Sequence, residues 1–238
     1  MVRCVYTHVY NHLLQNDIPT RNQSGYIKGD SAVNQLVNIS NEIGKALDSG
    51  KEIRVVFCDI SKAFDRVWHK RLLFKLKQSG ISGHLLNWFE NYLSGRSQRV
   101  VINGSNSDWL SINAGVLQES ILDPLLFLIF INDIVQDIDA QINLFADDTS
   151  LYLVVDDPIE TAETLNGDFI DKIHIWSEKW LVKFNPQKTE TMVLFKKNNK
   201  PNHPPLKMSN SELQKVDNNK HLGVIFSNNG FWHDHVDL

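Results

Sequence analysis

The sequence predicts an α+β fold, a sheet with helices packed on one face. Three observations point to it. Strand-like apolar runs alternate with helical patterns and hairpins. No internal repeat or low-complexity segment interrupts that alternation, and 238 residues, 42% of them hydrophobic, are enough to bury a sizeable core.

Taken in order, residues 31–49 place Val33, Leu36, Val37, Ile43 and Leu47 near helical spacing, with Ser31 as the N-cap. Gly50 ends that helix. The run IRVVFCDI (53–60) is β-rich and short enough to be a buried strand, which sets Asp59 at a strand's C-terminal end. Residues 67–78 and 84–93 read as two helices separated by the turn-forming SGISG of 79–83. Residues 99–112 read as a hairpin turning at Asn103-Gly104 between β-branched residues. Helix returns over 120–138, with Pro124 tolerable only near its first turn. Residues 142–146 and 150–155 are β runs joined by Asp147-Asp148-Thr149, again hairpin geometry. The spacing of Leu165, Phe169, Ile173, Trp176 and Trp180 predicts one amphipathic helix over 160–180. A strand follows at 191–195. The Lys-, Asn- and Pro-rich stretch 196–211 reads as a mobile loop or subdomain edge, and 221–226 as the last strand.

Composition narrows the function. Cys4 and Cys58 lie far apart and form no CxxC pair, so neither a zinc ligand set nor a disulfide framework is indicated, and a reducing intracellular compartment is the expected location. The N-terminal residues are charged and polar where a signal peptide would carry its apolar run. The longest apolar stretch, 125–131, is far short of the roughly 20 residues that span a bilayer. A net charge of -4 argues against a protein that coats nucleic acid. The charge is uneven, however: Lys183, Lys188, Lys196, Lys197, Lys200, Lys207, Lys215 and Lys220 crowd the C-terminal quarter, while acids gather between Asp133 and Asp171. Such a distribution suits a phosphate-handling enzyme, although most such runs are simply solvated faces.

The acids that invite attention are Asp59, Asp147 and Asp148. Two adjacent aspartates at a hairpin tip also suit a plain surface turn, and an aspartate after a strand also suits a cap for the next helix. Their surroundings are apolar, with Phe145-Ala146 and Leu151-Tyr152-Leu153 about the pair and Val55-Val56-Phe57-Cys58 before Asp59. If the strand ending at Asp59 lies beside the hairpin, three carboxylates converge, and their repulsion is costly unless cations share the space. Hard oxygen ligands of this kind select Mg²⁺ or Mn²⁺. Two such ions about 3.5–4 Å apart serve in-line displacement at phosphorus, so phosphoryl or nucleotidyl transfer is the matching reaction class.

At this point the residues resemble a known family. FCDISKAFDRVWH (57–69), GVLQESILDPLLFLIFINDI (115–134) and FADDT (145–149) look like motifs A, B and C of reverse transcriptases from jockey- or CR1-like non-LTR retrotransposons. QSGYIKGDSAVNQL (23–36) is similar to the fingers-side motif upstream, FNPQKTETMVLF (184–195) to motif D, and KHLGVIF (220–226) to the primer-grip motif E. The motifs stand in the family's order over nearly the whole chain. The resemblance implies a right-hand polymerase palm with an antiparallel sheet and packed helices over 51–226, including a fingers-side hairpin at about 98–113. It also implies partial fingers over 1–50 and the truncated start of a thumb or connection over 227–238. Asp59, Asp147 and Asp148 become ligands of two Mg²⁺ or Mn²⁺ ions, with the Ile60 backbone helping to hold one. Phe64 matches the steric gate that favours dNTPs, or else is a core aromatic. Lys188 matches the motif D lysine that protonates pyrophosphate, or else is one more surface lysine. Gln118 matches the glutamine lining the nascent pair, and Leu222-Gly223 the primer grip. RNA template, DNA primer and dNTPs are the implied partners.

Motif B departs from the family pattern GVPQGSxLGPLLF: Leu117 replaces its proline, Glu119 its first glycine and Asp123 its second. Glu119 adds bulk and negative charge where backbone approaches template and nucleotide. At about 4 Å and an effective dielectric of about 20, like charges cost on the order of 4 kcal/mol, roughly a thousandfold in binding. Polymerisation is therefore expected to be impaired. A remnant without catalysis, acting as a nucleic-acid-binding module, is the alternative. A third reading is an unrelated Mg²⁺-dependent phosphotransferase with an aspartate cluster, which the order of the motifs disfavours and an Asp59 far from the Asp147-Asp148 hairpin would revive.

Overall fold

The computed structural model describes residues 1–116, 120–136, 138, 141–196, 202–230 and 233–236. In chain order its helices are α1 (Val2–Gln15), α2 (Ala32–Asp48), α3 (His69–Gln78), α4 (Gly83–Leu93), α5 (Leu122–Ile131), α6 (Pro158–Thr164) and α7 (Asp171–Trp180), with a final turn at His233–Val236. Among the described residues no helix is long and apolar enough to cross a membrane. The chain divides into two compact units.

One unit comprises residues 1–20, 62–133 and 180–182 and is mainly helical. Its centre is α5, where every residue except Pro124 is buried, as expected for a helix that is apolar all round. α1 and α3 both pack on α5, and α4 packs on α3. The hairpin forms as expected: Val101–Ile102 pairs with Ser105–Asn106, and Asn103 and Gly104 both take positive φ, the geometry of a type I′ turn. The region read as helix over 120–138 is shorter, because a 3₁₀ turn at Asn132–Val135 replaces its last part. Asn132 is occupied there in tying down the N-terminal segment, accepting from the Thr20 N–H at 2.7 Å and donating to the Ile18 carbonyl at 2.8 Å.

The other unit comprises 21–61, 134–179 and 183–238. It is built on a sheet of five strands: β1 (Glu52–Cys58), β2 (Gln141–Phe145), β3 (Asp148–Val155), β4 (Glu190–Leu194) and β5 (Gln214–Lys215), in the order β5-β4-β1-β3-β2. The pairings are antiparallel except for the short β5 edge, which runs parallel to β4. β1 is central and buried at all seven positions. Its Ile53, Val55 and Phe57 form one core with Ile39, Ile43, Ala46 and Leu47 of α2. Ser31 caps α2 as its sequence predicts, accepting from the Asn34 N–H at 3.2 Å. Truncating a fully buried residue such as Ile53 to alanine would cost about 2–5 kcal/mol.

The expectation of helices on one face is only half the picture, since the alternate β1 positions are buried too. Glu52 and Arg54 lie under the segment 202–206, where Arg54 donates to the Pro204 carbonyl at 2.8 Å and Glu52 meets His203 at 2.9 Å. The described part of the predicted loop, 202–211, is therefore well packed: Leu206 and Met208 are buried, and Lys207–Met208 pairs with Ser211–Glu212. The helix expected over 160–180 begins at Pro158, capped by Asp157, and carries a π-helical stretch at Leu165–Ile170. The predicted strand 221–226 is instead a hairpin: Asn218–His221 pairs with Val224–Ser227 around Leu222-Gly223, both at positive φ.

Candidate active site

Asp59 is the residue at which β1 runs out. Its backbone is held on both sides by the turn 185–189. The Asn185 N–H donates to the Asp59 carbonyl at 2.9 Å, and the Asp59 N–H donates to Thr189 Oγ1 at 3.3 Å. Thr189 is fully buried. Asn185 also organises the turn itself, its carbonyl accepting from Lys188 and Thr189 N–H groups and its side chain from that of Gln187. The carboxyl of Asp59 is thus half-buried on a fixed backbone. Neighbouring Cys58 is buried, which pushes its thiol up to about 12 and keeps it unreactive.

β2 and β3 form the second support. Phe145 pairs with Asp148, leaving Ala146 and Asp147 as a two-residue turn. The sequence reading centred that turn on Asp147-Asp148-Thr149, but Asp148 and Thr149 already belong to β3. The difference arises because Ala146 takes φ +55° at the first turn position, where such hairpins favour glycine. Residues 22–25 lie along β2: Leu144 donates to the Asn22 carbonyl at 2.8 Å, and the Ser24 N–H donates to the Leu144 carbonyl at 2.9 Å. Buried Gln23 then reaches the turn. Its Oε1 accepts from the N–H groups of Ala146 at 2.9 Å and Gly25 at 2.8 Å.

These supports bring the three acids to one end of the sheet. Cys58 pairs with Thr149, so the next positions, Asp59 and Asp148, meet across the ends of β1 and β3, with Asp147 in the turn beyond. Desolvation raises the Asp147 carboxyl above the usual range, and the Asp59 charge adds to the rise. Desolvation likewise raises Asp148, followed by the charges of Asp147 and Asp59. Among the described residues no three His, Cys, Asp or Glu side chains close around one point as a finished ion cage. The donor set nevertheless fits a divalent cation chemically. Its carboxylates share one strand end, and the Asp59 charge adds to the energy of the charged form of both Asp147 and Asp148, a cost a cation would remove.

Residues 2–226 match the family described as reverse transcriptase (RNA-dependent DNA polymerase). The chain belongs to the reverse transcriptase family. Among its relatives is a probable RNA-directed DNA polymerase from transposon BS of Drosophila melanogaster, 30% identical over 88% of this chain and 24% of that protein. Another is the RNA-directed DNA polymerase from mobile element jockey of Drosophila funebris, 28% identical over 96% of this chain and 26% of that protein. The chain thus spans about a quarter of the length of these relatives. Telomerase from Candida albicans, solved with a fragment of telomeric RNA, shares the fold, with a TM-score of 0.57 over 97% of this chain and 38% of that one at 17% identity.

The other residues expected to serve a reverse transcriptase are placed as follows. Ile60 bridges Phe184 through flanking groups, Asn185 N–H to Asp59 O and Ser61 N–H to Lys183 O, so that bridge leaves the Ile60 carbonyl uncommitted. Phe64 is buried in the helical unit, its ring stacked on Phe127 at 4.4 Å, which is the packing of a core aromatic. Lys188 is exposed on the turn that holds Asp59. Half-buried Leu222 and exposed Gly223 form the bend of their hairpin, where a Cβ added at Gly223 would meet open space. Leu117, Gln118 and Glu119 lie outside the described residues. Asp123 is fully buried in the first turn of α5. Sequence reasoning singled out neither Gln23 nor Thr189 individually, although both fall in family-like motifs. Their bonds span more than a hundred residues, and one sequence does not display such contacts.

Proposed function

We propose that this chain is the RNA-directed DNA polymerase domain of a non-LTR retrotransposon protein, extending a DNA primer along an RNA template with dNTPs inside the cell. The observation that carries this reading is the meeting of Asp59, Asp147 and Asp148 at one end of the sheet in a chain of the reverse transcriptase family. On this reading 51–226 is the palm, 1–50 part of the fingers and 227–238 the start of the thumb or connection.

Asp59, Asp147 and Asp148 would hold two Mg²⁺ or Mn²⁺ ions, with the Ile60 carbonyl as a further donor. Such ions, when bound, stabilise the attacking and leaving oxygens of an in-line displacement. The chain's own residues do the rest. The turn 185–189 and the clamp at 23–25 keep the aspartate backbones from drifting, which matters because misplacement by about 1 Å costs roughly a hundredfold in rate. Lys188 donates a proton to the departing pyrophosphate. Gln118 would line the nascent pair and Leu222-Gly223 support the primer end, while the stacking of Phe64 on Phe127 supports its reading as a core aromatic over that of a steric gate.

Glu119 and Asp123 stand where the family pattern has glycine, so the reaction is expected to be slow. Primer extension on an RNA template tests both parts. Asp147→Asn should lower extension at least about a hundredfold, and a Glu119→Gly, Asp123→Gly version should raise it about tenfold or more. Extension that ignores Asp147→Asn sinks the assignment. A parent chain as fast as the glycine version sinks the expected impairment. The departures at Glu119 and Asp123 from the family pattern's glycines favour the second reading, a remnant without catalysis that acts at most as a nucleic-acid-binding module. That reading predicts primer-template binding indifferent to both Mg²⁺ and Asp147→Ala.

A further inference from the structure

We infer that Gln23 and Gly25 form a backbone clamp that fixes Ala146 in its left-handed conformation and so presets the Ala146-Asp147 turn, and Asp148 after it, for cation binding. The inference rests on the metal reading of the aspartates proposed above. It assigns these two residues a positioning role, since they act on the site through Ala146.

The argument begins with a conformational cost. A left-handed φ is unfavourable for a residue with a Cβ, and the turn that presents Asp147 places alanine where glycine would be unstrained. Something must hold it there. Gln23 Oε1 accepts from the Ala146 N–H at 2.9 Å, so the amide of this buried residue is satisfied in the left-handed orientation. The same oxygen accepts from the Gly25 N–H at 2.8 Å, which orients the side-chain amide in turn. Its Nε2 also reaches towards the Ala146 carbonyl, at a long 3.5 Å, so the two accepted bonds carry the clamp.

Gly25 has a steric reason to be glycine. A Cβ there would fall 2.3 Å from the Ala146 nitrogen and 2.9 Å from the Phe145 carbonyl carbon, and these are backbone atoms that cannot swing aside. The approach is maintained from below by the pairing of 22–24 with Leu144 and by Asn22 Nδ2, which donates to the Ile142 carbonyl at 2.8 Å. Gln23 is only 5% exposed and bonds to the turn that holds Asp147 and leads into Asp148.

The test is Mn²⁺ binding by the full chain, followed by water-proton relaxation, with melting temperature recorded in parallel. Gln23→Met keeps the bulk and removes the acceptor. It should weaken Mn²⁺ about tenfold, as Asp147→Asn does or less. Adding Ala146→Gly to Gln23→Met should restore most of that affinity, because glycine adopts the turn without being held. Ala146→Gly alone should stay within about twofold of the parent. Should Gln23→Met not fold, Gln23→Ala serves instead, since its vacated space admits water to the two N–H groups. Affinity that falls with Asp147→Asn but not with either Gln23 substitution overturns the clamp while leaving the metal reading intact. A Gln23→Met loss that Ala146→Gly does not repair also overturns it. Mn²⁺ binding indifferent to Asp147→Asn overturns the reading on which the clamp rests.

Discussion

Asp148 illustrates how a site residue trades stability for function. Burial of part of its surface and the charges of Asp147 and Asp59 raise its pKa in the folded chain. For a carboxyl with a raised folded pKa, the folded state holds more protons than the unfolded one between the two values. Stability therefore falls as pH rises from the ordinary carboxylate range through the folded pKa, and the penalty is fully present at neutral pH. Neutralising the group should relieve it. Without divalent ions, Asp148→Asn is expected to raise the melting temperature by about 1–3 °C at pH 7, a figure kept small because the residue is solvent-exposed and its interactions are screened. With excess Mn²⁺ the order should reverse, since the parent gains a ligand that the variant has lost. Thermal melts with EDTA and with Mn²⁺ measure both differences, and a destabilised variant in EDTA would refute the repulsion argument.

At the scale of the element, the hairpin of Asn218–His221 and Val224–Ser227 turns on Leu222 at φ +50° and Gly223 at φ +84°. A two-residue turn of this kind favours asparagine first, and a leucine held left-handed costs on the order of 1 kcal/mol. Leu222→Asn should therefore raise the urea midpoint by the equivalent of about 0.5–1 kcal/mol, less whatever apolar contact the half-buried leucine makes. The same residue shows where sequence patterns lose their grip. Asn103-Gly104 carries the ordinary turn chemistry and was legible, as was the Ser31 cap. Leu222-Gly223 lacks a turn-favouring first residue and reads as continuous strand. Ala146 misleads in the same way, which displaced the expected turn by about a residue. The π-helical stretch Leu165–Ile170 keeps apolar spacing close enough to helical that nothing in the pattern marks it. The aspartates were legible as acids following apolar runs, but their meeting depends on register between β1 and β3, and their supports on contacts remote in sequence.

At the scale of the whole molecule, acid should unfold the sheet unit chiefly through its histidines. His221 is 5% exposed, its ring lies against Phe57 with centroids 5.2 Å apart, and burial pushes its pKa down to about 4. No hydrogen-bond partner meets its Nε2 among the described residues. His203, beneath which Glu52 and Arg54 lie, is also lowered by burial first, with the Arg54 charge adding and Glu52 opposing. A histidine held neutral by the fold gives stability that is present above the unfolded pKa of about 6.5 and is lost as pH falls through the folded value. For His221 the window runs from about 6.5 to about 4. The raised pKa values of Asp147 and Asp148 act in the opposite sense at the acid end, because protonation there removes repulsion. Their contribution is screened by solvent, whereas His221 is buried, so the histidine sets the sign. Urea midpoints should fall between pH 7 and pH 4.5 by the equivalent of about 1–3 kcal/mol. His221→Phe keeps the ring against Phe57 and removes the proton-binding nitrogen, so it should flatten most of that slope while leaving stability at pH 7 unchanged or slightly higher. A variant that loses stability with acid as steeply as the parent would refute the assignment of that slope to His221.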